Sequence, residues 1–370
     1  MTQQHCDGRS LRIAQVAPLF IRVPPARYGG TERVVSALTE ELVRRGHEVT
    51  LFAAGTSSTS ARLRPASPRP LWELDAHERL AYEIAEVEDV ARCSHQFDLI
   101  HWHLEFLHWL MAGEIQTPSI TTLHGRLDGD AIRKLFAHHS NEPVISISDA
   151  QRRPLSDLTL NWVATVHHGL NLSSTYRLGA GDGGYLVFVG RSTPEKGLAT
   201  AIRVAIRCGL RLKIAARIEP ADLDYHRSQV VPLLEHPLVD WLGEATDCEK
   251  VALLEGAIAL LMPIEWEEPF GLSFIEALST GTPVITRPLG SVPEMMRHGE
   301  HGFFADTEDE LAAACLRIDS IDRASCRKWA IERFSAERMT DDYEAAYVWL
   351  LGVPGVPRAE DAVAASRTVG

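Results

Sequence analysis

Short apolar segments alternate with longer amphipathic segments along most of the chain. Leu11–Ala17 is apolar, and Thr31–Gly46, which follows its loop, carries apolar residues at helical spacing. Glu48–Ala53 and Phe97–His103 are again short and apolar, and a helical pattern over Asp75–Ala91 separates them. Strands that lie between two layers of helices are buried on both faces, so they lack the polar alternation of half-exposed strands. The pattern predicts an α/β protein with a parallel sheet.

The same alternation continues through the first half of the chain and starts again in the second half. Further predicted strands are Ser119–Gly125, Val144–Ser148, Val163–Gly169, Tyr185–Gly190, Leu212–Ala216, Val239–Gly243 and Ala257–Met262. Residues 172–184 are polar and rich in glycine, which favours a linker. A chain of 370 residues is long enough for two domains. We therefore predict a first domain over residues 1–171, a second over 185–336 and a disordered tail over 353–370.

Composition narrows the functional classes. The formal net charge of −13 argues against a nucleic-acid-binding protein, because such proteins carry basic surfaces. The 6 cysteines include no C-x-x-C pair, so neither a zinc site nor a disulfide framework is predicted. The polar segment Met1–Arg9 lacks the apolar core of a signal peptide, and no apolar run approaches the ~20 residues of a membrane span. We expect a cytoplasmic protein.

One stretch combines a buried strand with residues suited to a polar ligand. Pro263–Ile285 predicts a rigid loop, a helix that begins near Phe270, and another strand. The N–H groups of a first helical turn have no acceptors within the helix, so this end suits phosphate. Glu268 precedes that end and Glu276 follows it, and their carboxylates accept hydrogen bonds from hydroxyl groups. The layout indicates a nucleotide sugar, and an ordinary strand–loop–helix unit with two surface glutamates is the alternative.

The same stretch carries a family signature. Glu268–Leu272, followed by Glu276–Ala277 and then by Gly281–Ile285, resembles the signature of retaining glycosyltransferases of family 4, which have the GT-B fold. Phe188–Gly197 is similar to the second signature of that family. The resemblance implies two Rossmann-like, doubly wound parallel-sheet domains that face a central cleft. It also implies a C-terminal helix over residues 337–352 that crosses back to the first domain.

The resemblance assigns roles to individual residues of the second half. Arg191 and Lys196 would stabilise the negative charge that grows on the departing diphosphate, as a planar fork and a mobile point charge respectively. Glu268 would hold the hexose hydroxyls, and Glu276 the ribose hydroxyls. The implied donor site also contains Ile218 near the base and the backbone amides of Phe270, Gly271 and Leu272. Because these groups neutralise the diphosphate, no metal cofactor is expected.

Two features of the first half complete the implied site. Gly29 and Gly30 lie at the first strand-to-helix crossover, where glycine lets the backbone approach a ligand closely. They do not form a G-x-G-x-x-G fingerprint, so a nicotinamide dinucleotide site is disfavoured. In the resembling family, a glycine pair here faces the donor diphosphate and the acceptor, and a histidine in the position of His124 faces the donor sugar. A neutral His124 imidazole could donate a hydrogen bond to a hexose hydroxyl or to the leaving-group side.

Metal sites are the alternative for other polar residues of the first half. The histidines at or near strand ends are His101, His103, His124, His167 and His168. No acidic residue completes a ligand set at a known spacing, so we interpret all of them except His124 as packed or capping residues. Asp128 and Asp130 imitate a D-x-D metal motif, but they follow a strand in a segment that predicts a turn and a helix start.

Basic residues concentrate in the first half and leave two interpretations. They are Arg44, Arg45, Arg62, Arg64, Arg69, Arg152 and Arg153. A solvated surface is one interpretation, and a patch for an anionic acceptor or for peripheral contact with the inner membrane face is the other.

The sequence thus predicts a retaining glycosyltransferase that moves a hexose from a nucleotide-diphosphate sugar to a hydroxyl acceptor. UDP-glucose is the first choice of donor and GDP-mannose the second. The acceptor class stays open among a glycan, a lipid and a small molecule, because the loops Pro18–Tyr28 and Ser57–Pro70 carry no readable code. The alternatives are a sugar-nucleotide epimerase or a phosphorylase of the same fold, and a catalytically silent nucleotide-sugar-binding partner in polysaccharide assembly.

Overall fold

The computed structural model describes residues 10–352, which form two compact units. The first unit contains the described residues up to Pro25, Gly29–Leu170 and the described residues from Ala336 onward. The second contains Ala26–Tyr28 and Asn171–Ser335. Each unit is built on a parallel sheet, which confirms the predicted α/β class with two Rossmann-like domains. The predicted tail over residues 353–370 lies outside the described residues.

The strand order in the sheet of the first unit reverses beside its central strand. Its described strands are Arg12–Val16 (β1), Glu48–Ala54 (β2), Arg62–Ser67 (β3), Leu99–Trp102 (β4), Ser119–Thr122 (β5), Val144–Ser146 (β6) and Trp162–Thr165 (β7). They run in the order β3-β2-β1-β4-β5-β6-β7. Ile13 of β1 pairs with Val49 on one side and Leu99 on the other. The strand order reverses between β1 and β4, and such switch points leave room for a ligand at the carboxyl edge.

Helices cover both faces of this sheet and bury the apolar positions that the sequence pattern identified. The described α-helices are Gly30–Arg44, Ala76–Cys93, Asp130–His138, Asp149–Arg152 and Ala336–Leu350. Asp75, at the predicted start of the second of these, caps it by accepting hydrogen bonds from the N–H groups of His77 and Glu78. In the first, Val34, Val35, Leu38 and Leu42 are all buried, as the helical spacing predicts.

One segment interpreted as an acceptor loop contains a strand. Ser57–Pro70 includes β3, which pairs with β2 alone at the edge of the sheet. The sequence of β3, Arg-Leu-Arg-Pro-Ala-Ser, is polar because one side of an edge strand faces solvent, and proline is tolerated there. Apolar periodicity therefore gave no signal for this strand.

The C-terminal helix Ala336–Leu350 packs in the first unit through charged residues as well as apolar ones. The guanidinium of Arg45 lies 2.7 Å from the Glu344 carboxylate and 2.6 Å from that of Asp341. His47 Nε2 lies 2.9 Å from the same Glu344 side chain. Arg45 is therefore largely buried in an internal ion-pair cluster, which corrects its assignment to a basic surface patch.

Arg152 is also removed from that patch. Its Nε donates to Ser146 Oγ at 2.6 Å, and its guanidinium lies 4.7 Å from the centre of the Trp162 ring. A cation that stacks on an aromatic ring and bonds inward is partly shielded from a lipid surface. Among residues 10–352, no helix combines the length and the apolar character needed to cross a membrane.

The second unit repeats the arrangement with a smaller sheet. Its described strands are Tyr185–Arg191 (β8), Arg211–Arg217 (β9), Val239–Gly243 (β10), Ala259–Leu261 (β11), Val284–Thr286 (β12) and Gly302–Phe304 (β13). They run in the order β10-β9-β8-β11-β12-β13, so the strand order reverses between β8 and β11. The loops that follow these two strands carry both family-like signatures. The doubly wound topology therefore brings the two signatures to one edge of one sheet.

Helices pack on this second sheet as well. Its described α-helices are Leu172–Thr175, Leu198–Cys208, Leu223–Tyr225, Val231–Leu234, Asp247–Gly256, Leu272–Ser279, Val292–Met295, Glu308–Leu316 and Arg323–Phe334. Thr246 and Thr307 each form a capping box with the glutamate three residues later. The segment interpreted as a linker contains the first of these helices and a buried tyrosine, Tyr176. Part of that segment is therefore folded into the second unit.

Candidate functional site

Lys196 and Glu268 form an ion pair at the carboxyl edge of the second sheet. The Lys196 ammonium group donates to Glu268 Oε2, and Trp266 Nε1 donates to the same oxygen at 3.0 Å. The Lys196 ammonium also lies 5.0 Å from the centre of the Trp266 ring. The two side chains are only 13% and 7% exposed. The structure thus brings together two residues that the resemblance assigned to adjoining parts of a donor, the diphosphate and the hexose.

Two glycines let the loops approach closely enough for this pair to form. Gly197 has a φ of 69°, and a Cβ there would lie 2.0 Å from the carbonyl oxygen of Pro263. A Cβ on Gly290 would lie 2.3 Å from the backbone nitrogen of Glu268. Both distances are far below van der Waals contact, so a larger residue would push the loops apart. The Gly197 of the second signature is therefore needed for packing against the loop of the first.

The helix Leu272–Ser279 begins directly beyond this ion pair. Gly271 is its N-cap residue, with a φ of 90°, and no side chain caps the helix. Among the described residues, none accepts a hydrogen bond from the N–H groups of Gly271, Leu272 or Ser273. All three residues are half-buried rather than enclosed. Unsatisfied N–H groups and the helix dipole give this end a partial positive charge, so it can accept an anion.

Phe270, whose backbone amide was assigned to the donor site, is a buried residue of this loop. Its side chain is 3% exposed and packs edge-to-face on Phe334, with ring centres 6.0 Å apart. The ring therefore anchors the loop in the core of the second unit.

Glu276 is paired with a cation that the sequence analysis missed. Its Oε1 accepts hydrogen bonds from Lys250 Nζ at 2.5 Å and from the Tyr176 hydroxyl at 2.9 Å. The Glu276 side chain is 5% exposed, and a carboxylate so deeply buried needs a partner. The need of a buried carboxylate for a partner is the one signal that could have prompted a search for a lysine. This signal would not have singled out Lys250, which follows acidic residues, or Tyr176, which lies in the predicted linker.

Arg191 and Ile218 lie at neighbouring strand ends. Arg191 is the last residue of β8 and pairs in register with Arg217, the last residue of β9, which Ile218 follows. The Arg191 guanidinium is 3.8 Å from the Glu195 carboxylate, and its side chain is 26% exposed. It therefore lies at the same sheet edge as Lys196 with a looser ion pair.

A short π-helix, His226–Val230, holds the loop that follows β8. His226 Nδ1 lies 2.8 Å from Ser192 Oγ, and the adjacent Tyr225 hydroxyl accepts from the N–H of Ala199 at 3.4 Å. Burial lowers the pKa of His226, so the imidazole is neutral at neutral pH. Sequence reasoning missed this contact, and π-helical turns have no sequence signature that would reveal it.

In the first unit, His124 is held by other histidines. It follows β5, and its Nε2 lies 2.8 Å from His103 Nδ1 while its Nδ1 lies 3.4 Å from His168 Nε2. Burial lowers the pKa of His124 to about 3, so its imidazole is neutral. Both ring nitrogens therefore already face hydrogen-bond partners. This changes the expectation that the ring simply donates to a hexose hydroxyl, because one of these contacts would have to be exchanged.

The chain of polar contacts continues away from His124. His103 Nε2 lies 2.8 Å from Gln15 Oε1, and the Gln15 amide nitrogen lies 3.1 Å from the Tyr347 hydroxyl. That hydroxyl lies 2.8 Å from His101 Nδ1, and His101 Nε2 lies 2.7 Å from Thr122 Oγ1. His101 and His103 are thus packed residues, as the sequence analysis interpreted them. Among residues 10–352, no three histidine, cysteine or acidic side chains are grouped so that they could hold a metal ion.

Glu105, which the sequence analysis did not select, supports the His124 backbone. It has a φ of 56°, which is unusual for a residue other than glycine and stores strain. Its Oε1 accepts from the N–H of His124 at 3.1 Å. Burial raises the pKa of the Glu105 carboxyl to about 7, although the backbone N–H groups of His124 and Gly125 act in the opposite direction.

The remaining predicted features of the first unit have local explanations. Gly29 is the N-cap of the helix that begins at Gly30, and a Cβ on Gly29 would lie 2.7 Å from Pro25 Cβ. Gly29 thus allows a close approach within its own loop. Asp128 lies 2.6 Å from the Arg126 guanidinium, and Asp130 is the first residue of a helix, as the turn interpretation predicts.

Two glycosyltransferase family models together match most of this chain. The family model described as "Glycosyltransferase Family 4" matches residues 28–174, and that described as "Glycosyl transferases group 1" matches residues 178–330. Together the two matches take in well over half of the chain. Phosphatidyl-myo-inositol mannosyltransferase of Mycobacterium leprae is 26% identical over 329 residues, which are 82% of this chain and 86% of the relative.

Solved structures share the fold. Sucrose-phosphate synthase from Thermosynechococcus elongatus has a TM-score of 0.77 at 20% identity, over 93% of this chain and 100% of that one. Anabaena HepE, solved in complex with UDP-glucose, has a TM-score of 0.71 at 16% identity, over 89% of this chain and 97% of that one. These TM-scores establish a common architecture, the GT-B fold, which confirms the predicted fold.

Proposed function

Because the chain belongs to glycosyltransferase family 4, we propose that this glycosyltransferase moves a hexose from a nucleotide-diphosphate sugar to a hydroxyl acceptor, with retention of configuration. The observation that carries the proposal is the buried Lys196–Glu268 pair beside the uncapped helix that begins at Leu272. A cation and free N–H groups within one sheet edge suit a diphosphate, and an adjacent carboxylate suits the hydroxyls of the attached sugar.

The ion pair prepares both residues for a donor. When a diphosphate binds, the Lys196 ammonium exchanges one oxygen of Glu268 for phosphate oxygens, and the freed carboxylate oxygen accepts from a hexose hydroxyl. The N–H groups of Gly271 and Leu272 face the charge that develops as the glycosidic bond breaks. A preorganised hydrogen-bond donor of this kind typically contributes on the order of a hundredfold in rate.

Glu276 is the proposed partner of the ribose. Lys250 and the Tyr176 hydroxyl bind one of its oxygens and fix the carboxylate in place. The other oxygen of this carboxylate, Oε2, can accept from ribose hydroxyls while Oε1 keeps these contacts. This arrangement orients the nucleoside without drawing on the diphosphate-binding cation.

The donor sugar is proposed from the relatives. HepE was solved with UDP-glucose, and the mycobacterial relative is named as a mannosyltransferase. We propose UDP-glucose as the first donor to test and GDP-mannose as the second. Arg191 and Lys196, together with the helix terminus, supply positive charge at the sheet edge, which supports transfer without a metal ion.

The proposal is tested by donor binding and turnover. Binding of UDP, GDP, UDP-glucose and GDP-mannose is measured by calorimetry, and slow donor hydrolysis without acceptor is followed for the tightest binder. We expect Lys196→Ala to lower kcat of hydrolysis by about a hundredfold or more. Lys328→Ala is the matched control, because Lys328 is an exposed lysine that also pairs with a glutamate.

Several results would contradict the proposal. Absence of binding to all four compounds removes the donor site, and binding without any turnover makes the chain a silent binder. Equal turnover of the Lys196→Ala variant and the wild type shows that the phosphates bind elsewhere. Loss of activity with EDTA and its recovery with manganese would show that a metal ion is needed.

A further inference from the structure

The polar chain around His124 has an internal direction. Its members are Gln15, His101, His103, Thr122, His124, His168, Tyr343 and Tyr347. All of them are buried except His124, which is half-buried. A neutral imidazole carries one N–H donor and one acceptor nitrogen. In a series of hydrogen-bonded histidines, the tautomer of each ring therefore fixes the tautomer of the next.

Gln15 fixes the tautomers of His103 and His124. Its carbonyl oxygen Oε1 can only accept, so His103 carries its proton on Nε2, 2.8 Å away. His103 Nδ1 is then an acceptor, and His124 must donate to it from Nε2 over 2.8 Å. His124 Nδ1 is left as an acceptor that faces His168 Nε2 at 3.4 Å. Gln15 and His103 thus determine which nitrogen of His124 carries the proton.

The other side of Gln15 is consistent with the same direction. Its amide nitrogen donates to the Tyr347 hydroxyl, which donates to His101 Nδ1. His101 then donates from Nε2 to Thr122. Burial lowers the pKa of His101, His103 and His168, so none of these imidazoles is doubly protonated at neutral pH. Reversal needs rotation of the Gln15 amide and a simultaneous change of tautomer at four histidines.

We propose that Gln15 is a positioning residue that holds His124 in the Nε2–H tautomer, so that His124 offers Nδ1 as a hydrogen-bond acceptor to a substrate hydroxyl. The contact from Nδ1 to His168 is at the long limit of hydrogen bonding, so it is the one that a hydroxyl can replace. His124 therefore accepts from the sugar instead of donating to it. The role in catalysis rests on the proposed function, but the tautomer does not.

The tautomer is read by long-range ¹H–¹⁵N correlation spectra of protein labelled at histidine, with the His124 signals assigned from a His124→Asn variant. We expect His124 to carry its proton on Nε2 in the wild type. Gln15→Met, which has a similar length and no acceptor oxygen, should populate the Nδ1–H form. Gln15→Glu should restore the Nε2–H form, because a carboxylate oxygen also accepts from His103.

Two tyrosines on the C-terminal helix provide a milder matched pair if the Gln15 variants fold poorly. Tyr347→Phe removes the hydroxyl that orients the Gln15 amide, whereas Tyr343→Phe removes one that lies 3.1 Å from Thr122 at the far end of the chain. We expect a tautomer change in the first variant and none in the second. A wild-type His124 protonated on Nδ1, or identical His124 spectra in the wild type, Gln15→Met and Tyr347→Phe, would overturn the proposal.

Donor hydrolysis separates this proposal from the proposed function. If both hold, Gln15→Met lowers kcat about two- to tenfold, in proportion to the lost tautomer, and leaves the KM for donor unchanged. Gln15→Glu recovers the rate. If the wild type turns over no donor, the proposed function fails and the spectra still decide the tautomer. If the spectra change while kcat stays at the wild-type value, the acceptor role of His124 is wrong.

Discussion

The two units bury polar groups at their sheet edges in opposite ways. The second unit uses ion pairs, Lys196 with Glu268 and Lys250 with Glu276. The first unit uses a chain of neutral side chains around His124 and the carboxyl of Glu105. Among the described residues, no lysine or arginine forms an ion pair with Glu105.

The difference indicates what each edge can do. An ion pair keeps a full charge available, and a charged ligand can replace one partner without leaving the other isolated. A neutral chain has no charge to offer, but its donors and acceptors are fixed by their neighbours over several residues. We conclude that the second unit is suited to an anion, and that the first is suited to orienting a hydroxyl group.

The largest expected effect comes from breaking the ion pair at Lys196. Lys196→Ala leaves the Glu268 carboxylate buried without its cation, which should lower the free energy of unfolding by about 3 kcal/mol. Adding Glu268→Gln should recover most of that loss, since an amide needs no counter-charge, but should not restore donor turnover. Urea denaturation of the wild type, both single variants and the double variant measures this coupling.

The surface pair of Lys328 and Glu332 is the control for that cycle. Its side chains are 75% and 60% exposed, so Lys328→Ala should leave the unfolding curve unchanged. If Lys196→Ala and Lys328→Ala lowered the free energy of unfolding equally, the Lys196–Glu268 pair would contribute no more to stability than a surface ion pair.

An intermediate effect is expected from the pH dependence of Glu105. Its pKa is about 7 in the folded chain against 4.5 for an ordinary glutamate, so folding favours the protonated carboxyl. This stabilisation is complete below pH 4.5 and is lost as the pH rises through 7. The loss between pH 5 and pH 8 should be at most about 3 kcal/mol in unfolding free energy, and Glu105→Gln should abolish it.

Urea denaturation at pH 5 and pH 8 tests this pH dependence. Glu88→Gln is a suitable control, because Glu88 is an exposed glutamate of the same unit. If the wild type and Glu105→Gln lose the same stability between the two pH values, the neutral character assigned to the first unit's edge does not extend to Glu105.

The smallest expected effect concerns Tyr176. Tyr176→Phe removes one of two described hydrogen bonds to Glu276 and leaves Lys250 in place. The Glu276 carboxylate is then held less firmly, which should weaken the free energy of donor binding by about 1 kcal/mol. We expect the KM for donor to rise about fivefold with kcat unchanged, which corresponds to that energy. Steady-state kinetics measure both constants, and a fall in kcat at constant KM would mean that Glu276 acts on the reacting bond.

The sequence by itself determined the α/β class, several of the helices and the two signature loops. The helical pattern over Asp75–Ala91 corresponds to the helix Ala76–Cys93, because apolar spacing is a local property. Lys196 and Glu268 were predicted as site residues from the resemblance of their loops to the two family signatures, and both loops follow strands at the switch point of the second sheet.

Only the tertiary structure decided how these residues are paired. Glu276 meets Tyr176 across 100 positions and Lys250 across 26, and Gln15 meets Tyr347 across 332. No periodic pattern encodes such contacts, because they depend on which helix faces cover which strands after packing. The direction of the hydrogen bonds at His124 follows from those long-range contacts. The tautomer of His124 therefore could not be predicted from the amino-acid sequence.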